Sequence, residues 1–234
     1  MFNNKNNMFY INLPETDFSE ALDLQQRIAA AKIKKIINSD IVLMLEHPSV
    51  FTLGRHGGIE NLNVSESFLK NLNIKVVKTE RGGNITYHAP GQLIIYPIIN
   101  IENLKLGVAQ YVSMLEDIMI RIAGDWGINA KSNKKNRGIW IQNKKIGSVG
   151  IAVKRGVAFH GIALNINISL KPFKWINPCG FKNIAITSIQ NELGISVPMD
   201  KVYQSAIYHF GNVFNVKIEK IELDNIKFSL YLER

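Results

Sequence analysis

The chain has 234 residues, room for one large domain at about 150 residues per domain. Hydrophobic residues make up 46% and charged residues 20%; that excludes disorder, collagen and coiled coil as the main state, and no apolar run approaches the ~20 residues that span a bilayer. Lysine and arginine outnumber the acids 28 to 19, a net charge of +9, which favours acidic partners, although a composition rich in Lys, Asn and Ile produces such an excess by itself.

In chain order, residues 1–7 are polar and lack the apolar stretch of a secretory signal, so a cytoplasmic protein is expected. Residues 8–13 read as a strand. Residues 17–38 read as an amphipathic helix, with Phe18, Ala21, Leu22, Ile28, Ile33 and Ile36 at helical spacing behind the capping candidates Thr16 and Asp17. The apolar run 41–45 and residues 50–53 are short strands on either side of His47-Pro48. Strands 74–78 and 93–99 enclose a glycine-bearing loop, and 107–126 is a second long helix. Residues 138–142 and 145–153 flank Asn143-Lys144, a hairpin turn, and 157–168 is another strand. Residues 188–193 and 200–214 read as helices, and 216–223 and 227–232 as closing strands. Helices lie between groups of strands instead of alternating with each one, which predicts an α+β fold in one domain.

The lone Cys179 stands in W-I-N-P-C-G. A single cysteine is ordinarily a buried small hydrophobe, but the flanking proline and glycine place this one on a turn, where reactive groups are displayed. One cysteine also excludes an internal disulfide and argues against a zinc cage. Lys145 opens K-I-G-S-V-G-I-A; a solvated hairpin lysine is the plain reading. Yet glycine inside a strand marks close approach of a ligand or another backbone, and Gly147 and Gly150 could clear a path for a substrate. In R-G-G-N-I-T-Y-H-A-P-G-Q-L a fixed cation, a flexible backbone and three polar side chains crowd before a turn, as a pocket wall or a surface hairpin. G-R-H-G-G at 54–58 is a weaker basic loop. The chain has no P-loop, no G-x-G-x-x-G after its first strand and no G-x-S-x-G elbow, and its five histidines show no close pairing in the sequence.

Taken together and in order, the stretches L-E-H-P-S-V-F-T-L-G-R, R-G-G-N-I-T-Y-H-A-P-G-Q-L-I-I-Y-P-I, G-I-W-I-Q-N-K-K-I-G-S-V-G-I, F-H-G-I-A-L-N-I-N and I-N-P-C-G resemble the octanoyl-acyl carrier protein:protein octanoyltransferases of lipoate synthesis. That family lies within the biotin/lipoate protein ligase superfamily. Ala89 departs from the glycine usual in the family's H-G-P-G-Q. The resemblance implies one catalytic acyltransferase domain over 1–234, with a central mixed β-sheet flanked by helices and a second small sheet. It places the acyl-thioester nucleophile on Cys179 and the lysine that tunes it on Lys145. Substrate contacts fall on Arg81, Gly82, Gly83, Asn84, Ile85, Thr86, Tyr87 and His88, on Ser148, Val149 and Gly150, and on Gly161, Ile162 and Ala163.

The implied donor is octanoyl-acyl carrier protein. The implied acceptors are lipoyl domains of 2-oxoacid dehydrogenase complexes and the glycine-cleavage H protein. No cofactor, metal, nucleic acid or membrane is implied, and a monomer is expected. Thioester to thioester is nearly isoenergetic and thioester to amide is downhill, so the transfer needs no ATP. Two rivals stand beside this reading. One is an ATP-dependent lipoate–protein ligase, or another acyltransferase of the superfamily; the other is a basic nucleic-acid-binding module, supported by net charge alone.

Overall fold

The computed structural model describes residues 7–177 and 184–231. In chain order the elements are β1 (Asn7–Asn12), α1 (Phe18–Ile33), β2 (Asp40–Leu45), β3 (Val50–Leu53), α2 (Glu66–Asn71), β4 (Lys75–Lys78), β5 (Ile85–His88), β6 (Gln92–Asn100) and α3 (Val108–Asp125). They continue with β7 (Lys131–Ser132), β8 (Ile139–Ile141), β9 (Lys144–Lys154), β10 (Val157–Asn165), β11 (Ala185–Ile186), α4 (Ile189–Leu193), α5 (Met199–Phe214), β12 (Lys217–Lys220) and α6 (Asp224–Tyr231).

Nine strands form a mixed sheet in the order β12-β1-β2-β6-β10-β9-β8-β7, with β11 added alongside β9; β4-β3-β5 form a separate small sheet. The expected α+β architecture with a second small sheet is therefore present. Runs such as Ile41–Leu45 and Leu93–Ile99 are apolar at nearly every position because the large sheet is covered on both faces. On one face α3 and α5 bury Tyr111, Leu115, Ile118, Met119, Ile122 and Phe210 against β6, β9 and β10. Each such side chain contributes about 1.5–3 kcal/mol. On the other face α1 packs Ala21, Ile28 and Ala31 against Ile41, Leu43, Ile94 and Ile98. Asp17 caps α1 by accepting the Ser19 N–H at 2.8 Å.

Four readings from sequence need correction. The closing strand expected at 227–232 gives way, through residue 231, to helix α6, although the alternation of apolar and polar residues imitates a strand; position 232 lies outside the described residues. Asn225 accepts the Glu222 N–H at 2.8 Å, and the Asp224–Lys227 pair at spacing i,i+3 fits a helical turn. Helix α2, which the sequence reading passed over, is short and capped by Ser65, which accepts the Phe68 N–H at 3.1 Å. The segment expected as a glycine-bearing loop between the strands at 74–78 and 93–99 contains strand β5, paired antiparallel with β3, and the turn expected at Pro90-Gly91 follows it. The hairpin between β8 and β9 turns at Gln142-Asn143, one residue earlier than expected, with Gln142 at φ 53°.

Pro97 sits inside the central strand β6, where it has no N–H to give to the ladder. The pairing of β6 with β10 lapses there, between Ala158↔Ile99 and Ile162↔Ile95. Within the gap His160 adopts φ 56°, and its N–H goes instead to the side-chain oxygen of Gln25 on α1, at 2.8 Å.

Candidate active site

A small cavity of about 70 Å³ opens between the α1 face of the large sheet and the small sheet. Strand β9 contributes Lys145, Ser148, Val149 and Gly150 to its wall, and β10 contributes His160, Gly161, Ile162 and Ala163. The turn before β5 and β5 itself supply Arg81, Gly82, Gly83, Asn84, Ile85, Thr86 and His88. Antiparallel register brings these groups together: Ser148 faces Ala163, Val149 faces Ile162, and Gly150 faces Gly161. Of the fourteen substrate contacts expected from the resemblance, only Tyr87 lies off the wall. Its ring packs between Phe51 and Phe173 at centroid distances of 5.0 and 5.5 Å, and its hydroxyl is 2.9 Å from that of Ser49. Burial raises its phenol pKa.

The R-G-G loop is held by backbone contacts. Gly82 N–H donates to Ile151 O at 2.8 Å, while Arg55 and His56 N–H donate to Arg81 O and Gly83 O at 2.9 and 3.1 Å. The weak G-R-H-G-G motif is thus a backing for the stronger one. A Cβ on Gly54 would sit 2.5 Å from Gly83 O, so only glycine permits that approach. Arg81 is 8% exposed and is tied to the small sheet: Nη2 donates to Thr52 O and Oγ1 at 2.7 and 2.8 Å.

Glycine serves close packing here more than it opens a path for ligand. A Cβ on Gly147 would stand 2.8 Å from Met119 Sδ, on the far side of the sheet, and one on Gly161 would strike Ile95 O. Gly150 serves packing too: a Cβ there would stand 3.1 Å from Gly82 O and 3.2 Å from Arg81 Cδ, so its bareness lets that loop settle on the strand.

Five wall residues escaped the sequence reading: Phe18 from the first turn of α1, Tyr96 from β6, His160, Phe173 and Ile186. No local motif marks Phe18 or Tyr96; they arrive through long-range packing. Three of the five histidines, separate in sequence, gather at the cavity: His47, His88 and His160. The rings of His47 and His88 lie 5.7 Å apart, and Phe18 stacks on His88 at 6.0 Å. His47 Nδ1 lies 2.7 Å from Thr16 O and must donate to it, which leaves Nε2 to accept from the Tyr96 hydroxyl at 2.8 Å. The neutral tautomer is thereby fixed.

Burial lowers the His47 pKa to about 4 and also lowers those of His88 and His160. These groups bind protons more readily unfolded than folded, so their contribution is complete above pH 6.5 and is lost as pH falls toward 4. For His47 alone the loss is about 3 kcal/mol. Thermal denaturation should therefore show the melting temperature falling between pH 6.5 and 4. A flat profile over that interval would contradict the buried neutral cluster.

Lys145 is 5% exposed, not a solvated corner. Its Nζ stands 5.4 Å from the Trp140 ring centroid, within cation–π range. Its carbonyl accepts the Thr187 N–H at 2.9 Å, and Ile186 is its parallel partner on β11. A buried amide relay crosses behind the site. Gln92 Oε1 accepts from His88 Nδ1 at 2.8 Å and its Nε2 donates to Asn165 at 2.8 Å; Asn165 donates to Thr187 O at 2.9 Å. Cys179, the expected nucleophile, lies outside the described residues. Upstream of it Asn177 and Asn63 exchange reciprocal amide hydrogen bonds of 3.1 Å, and Ile176 bridges to Leu62.

The lipoyl protein ligase A/B catalytic domain family matches residues 17–211. An octanoyltransferase of Desulfotalea psychrophila is 44% identical over 188 residues, covering 80% of this chain and 84% of its own length. One from Syntrophobacter fumaroxidans is 43% identical over 206 residues, covering 88% and 90%. Among solved structures, a lipoate-protein ligase A bound with ATP superposes with a TM-score of 0.75 at 15% identity, covering 97% of this chain and 93% of its own. A bipartite lipoate protein ligase from Thermoplasma acidophilum gives 0.71 at 14%, covering 98% and 92%; at such identities both speak for the fold alone. A family match across most of the chain, together with relatives above 40% identity, places this chain in the lipoyl protein ligase A/B catalytic family, in the octanoyltransferase branch.

Proposed function

We propose that the chain, acting as one catalytic domain, transfers an octanoyl group from octanoyl-acyl carrier protein to a lysine of a lipoyl domain through a thioester on Cys179. Acceptors would include the lipoyl domains of 2-oxoacid dehydrogenase complexes and the glycine-cleavage H protein. The observation that carries this reading is the seat of Lys145. Its ammonium-bearing side chain is buried on the wall of a largely apolar cavity, and its strand partner Ile186 follows Cys179 by seven residues.

The Cys179 thiolate attacks the thioester carbonyl, and the carbon–sulfur bond to the carrier breaks, releasing the carrier thiolate, which takes a proton from the Lys145 ammonium and leaves that amine neutral. The acceptor amine then attacks the acyl-enzyme. Its nitrogen loses a proton to Lys145, and the amide forms as the Cys179 thiolate leaves. A free cysteine has a pKa near ~8.5, so a neighbouring ammonium favours the reactive thiolate, and one covalent intermediate divides the transfer into two easier steps. Arg81, Gly82, Gly83, Asn84, Ile85 and Thr86 roof the acyl chain, and Ser148, Val149, Gly150, Gly161, Ile162 and Ala163 floor it. Intact-mass spectrometry after mixing with octanoyl carrier protein tests the reading: an added octanoyl mass supports it, and no adduct during productive turnover rejects the thioester route.

The surface charge suits acidic partners. Lys131, Lys134 and Lys135 are exposed and form no ion pair among the described residues. They lead directly into Gly138, which lies against Lys145. Steering by these cations predicts that kcat/KM falls by roughly tenfold between low and high ionic strength. Rates unchanged across that range, or unchanged when the three lysines become glutamines, would remove steering from the account.

A further inference from the structure

Glu116 is a buried carboxylate that the proposed reaction does not use. It is 1% exposed on α3, on the side of the helix that otherwise carries Leu115, Met119 and Ile122 into the core. An ionised carboxylate in such a place is costly unless both oxygens are engaged. Both are, and by adjacent residues. Oε1 accepts the Gly138 N–H at 2.7 Å, and Oε2 takes Arg137 Nη1 at 3.1 Å.

What this segment does next is unusual. Gly138 adopts φ 117°, and a Cβ built on it would stand 2.7 Å from Cε and 3.3 Å from Nζ of Lys145, while also striking Gly147 O. Its bare backbone is therefore in contact with the end of the lysine side chain. Trp140 borders the same ammonium, and its indole N–H is anchored on Asn136 O at 2.9 Å. Residues 136–140 thus make a slot for Lys145. Sheet pairing alone does not fix that slot, because the register of β8 against β9 shifts between Ile139 and Trp140. The clamp from α3 does.

We propose that Glu116 is a positioning residue for Lys145: by holding the Gly138 N–H and the Arg137 guanidinium it fixes the backbone against which the lysine amine is aimed. The proposal rests on the role given to Lys145 above. It assigns Glu116 no contact with substrate, and its effect should fall on turnover and leave donor binding nearly untouched.

The test compares wild type with Glu116→Leu, Glu116→Ala and Glu116→Gln in the full chain. Steady-state octanoyl transfer is measured per folded protein, with folding followed by circular dichroism. Either folded apolar variant is expected to lose at least tenfold in kcat, with the KM for octanoyl carrier protein within twofold of wild type. Glutamine keeps an acceptor for the Gly138 N–H and should restore kcat to within threefold. Loss of stability with unchanged kcat per folded molecule overturns the proposal, as does equal impairment of all three variants. Two controls keep the underlying reading separate: formation of the octanoyl adduct on the wild type, and its slowing in Lys145→Ala. If those fail, the role of Lys145 falls first; if they hold and the Glu116 variants turn over normally, only the clamp is wrong.

Discussion

Cys179→Ser is expected to eliminate the octanoyl adduct on the protein and to lower octanoyl transfer by about 10³-fold or more, with the fold intact. A serine hydroxyl is scarcely ionised near neutral pH, whereas a cysteine is a few per cent thiolate even unassisted and intrinsically far more nucleophilic. An ester intermediate would also be a poorer acyl donor to an amine than a thioester. Effects of this size are characteristic of removing the nucleophile itself, since groups that act as a unit lose most of their function together. Intact mass and single-turnover transfer from octanoyl carrier protein are the measurements. A serine variant that transfers within tenfold of wild type would reject the covalent route and revive the ATP-dependent ligase as the rival, a rival that addition of ATP to the assay then separates.

The second large effect is expected at Lys145. Lys145→Ala should reduce transfer by about 10²–10⁴-fold, the usual range for a group that moves a proton in the transition state. The buried position of the lysine and its seat between Gly138 and Trp140 mean that bulk water replaces it poorly. Acylation and deacylation should both slow, because the ammonium favours the thiolate in the first half-reaction and the free amine accepts a proton in the second. Stopped mixing with octanoyl carrier protein, followed by addition of the lipoyl domain, measures the two halves separately. Near-normal rates in both would remove Lys145 from the mechanism. Slowing of only the first would confine its role to thiolate stabilisation.

Much of this site could be read from local sequence, for a physical reason. The R-G-G loop and the glycine-bearing strands β9 and β10 announce themselves because backbone crowding leaves few residue choices, and antiparallel register then aligns Ser148 with Ala163 without further instruction. The sheet strands were legible as continuous apolar runs because both faces are covered. What could not be read depends on distance. Phe18 and Tyr96 are ordinary core residues by any local pattern, and only long-range packing makes them cavity walls; Asp17, just before Phe18, is tied to Lys75 of the small sheet at 2.8 Å. His47 and His88 lie 41 positions apart in sequence, and only folding brings their rings into contact. Glu116 in a helix reads as surface charge until Gly138 arrives from another element. The glycines Gly147 and Gly161 mislead in the opposite direction: the sequence correctly signals that a side chain is not tolerated, but not which neighbour forbids it. The misread C-terminal helix shows the same limit. Alternating polarity over a few residues fits a strand and a short capped helix alike, and local capping decides.

The interruption at Pro97 has a consequence for how the protein comes apart. The amide of His160 is secured by Gln25, so this stretch of cavity wall depends on a helix although strands lie on both sides of it. Loss of α1 would leave that amide without its acceptor and take Phe18 out of the cavity wall while the pairing of β9 with β10 was still closed. Partial unfolding from that helix would therefore open one side of the cavity before it melted the scaffold, and a chain could keep nearly all of its β-structure after that wall had gone.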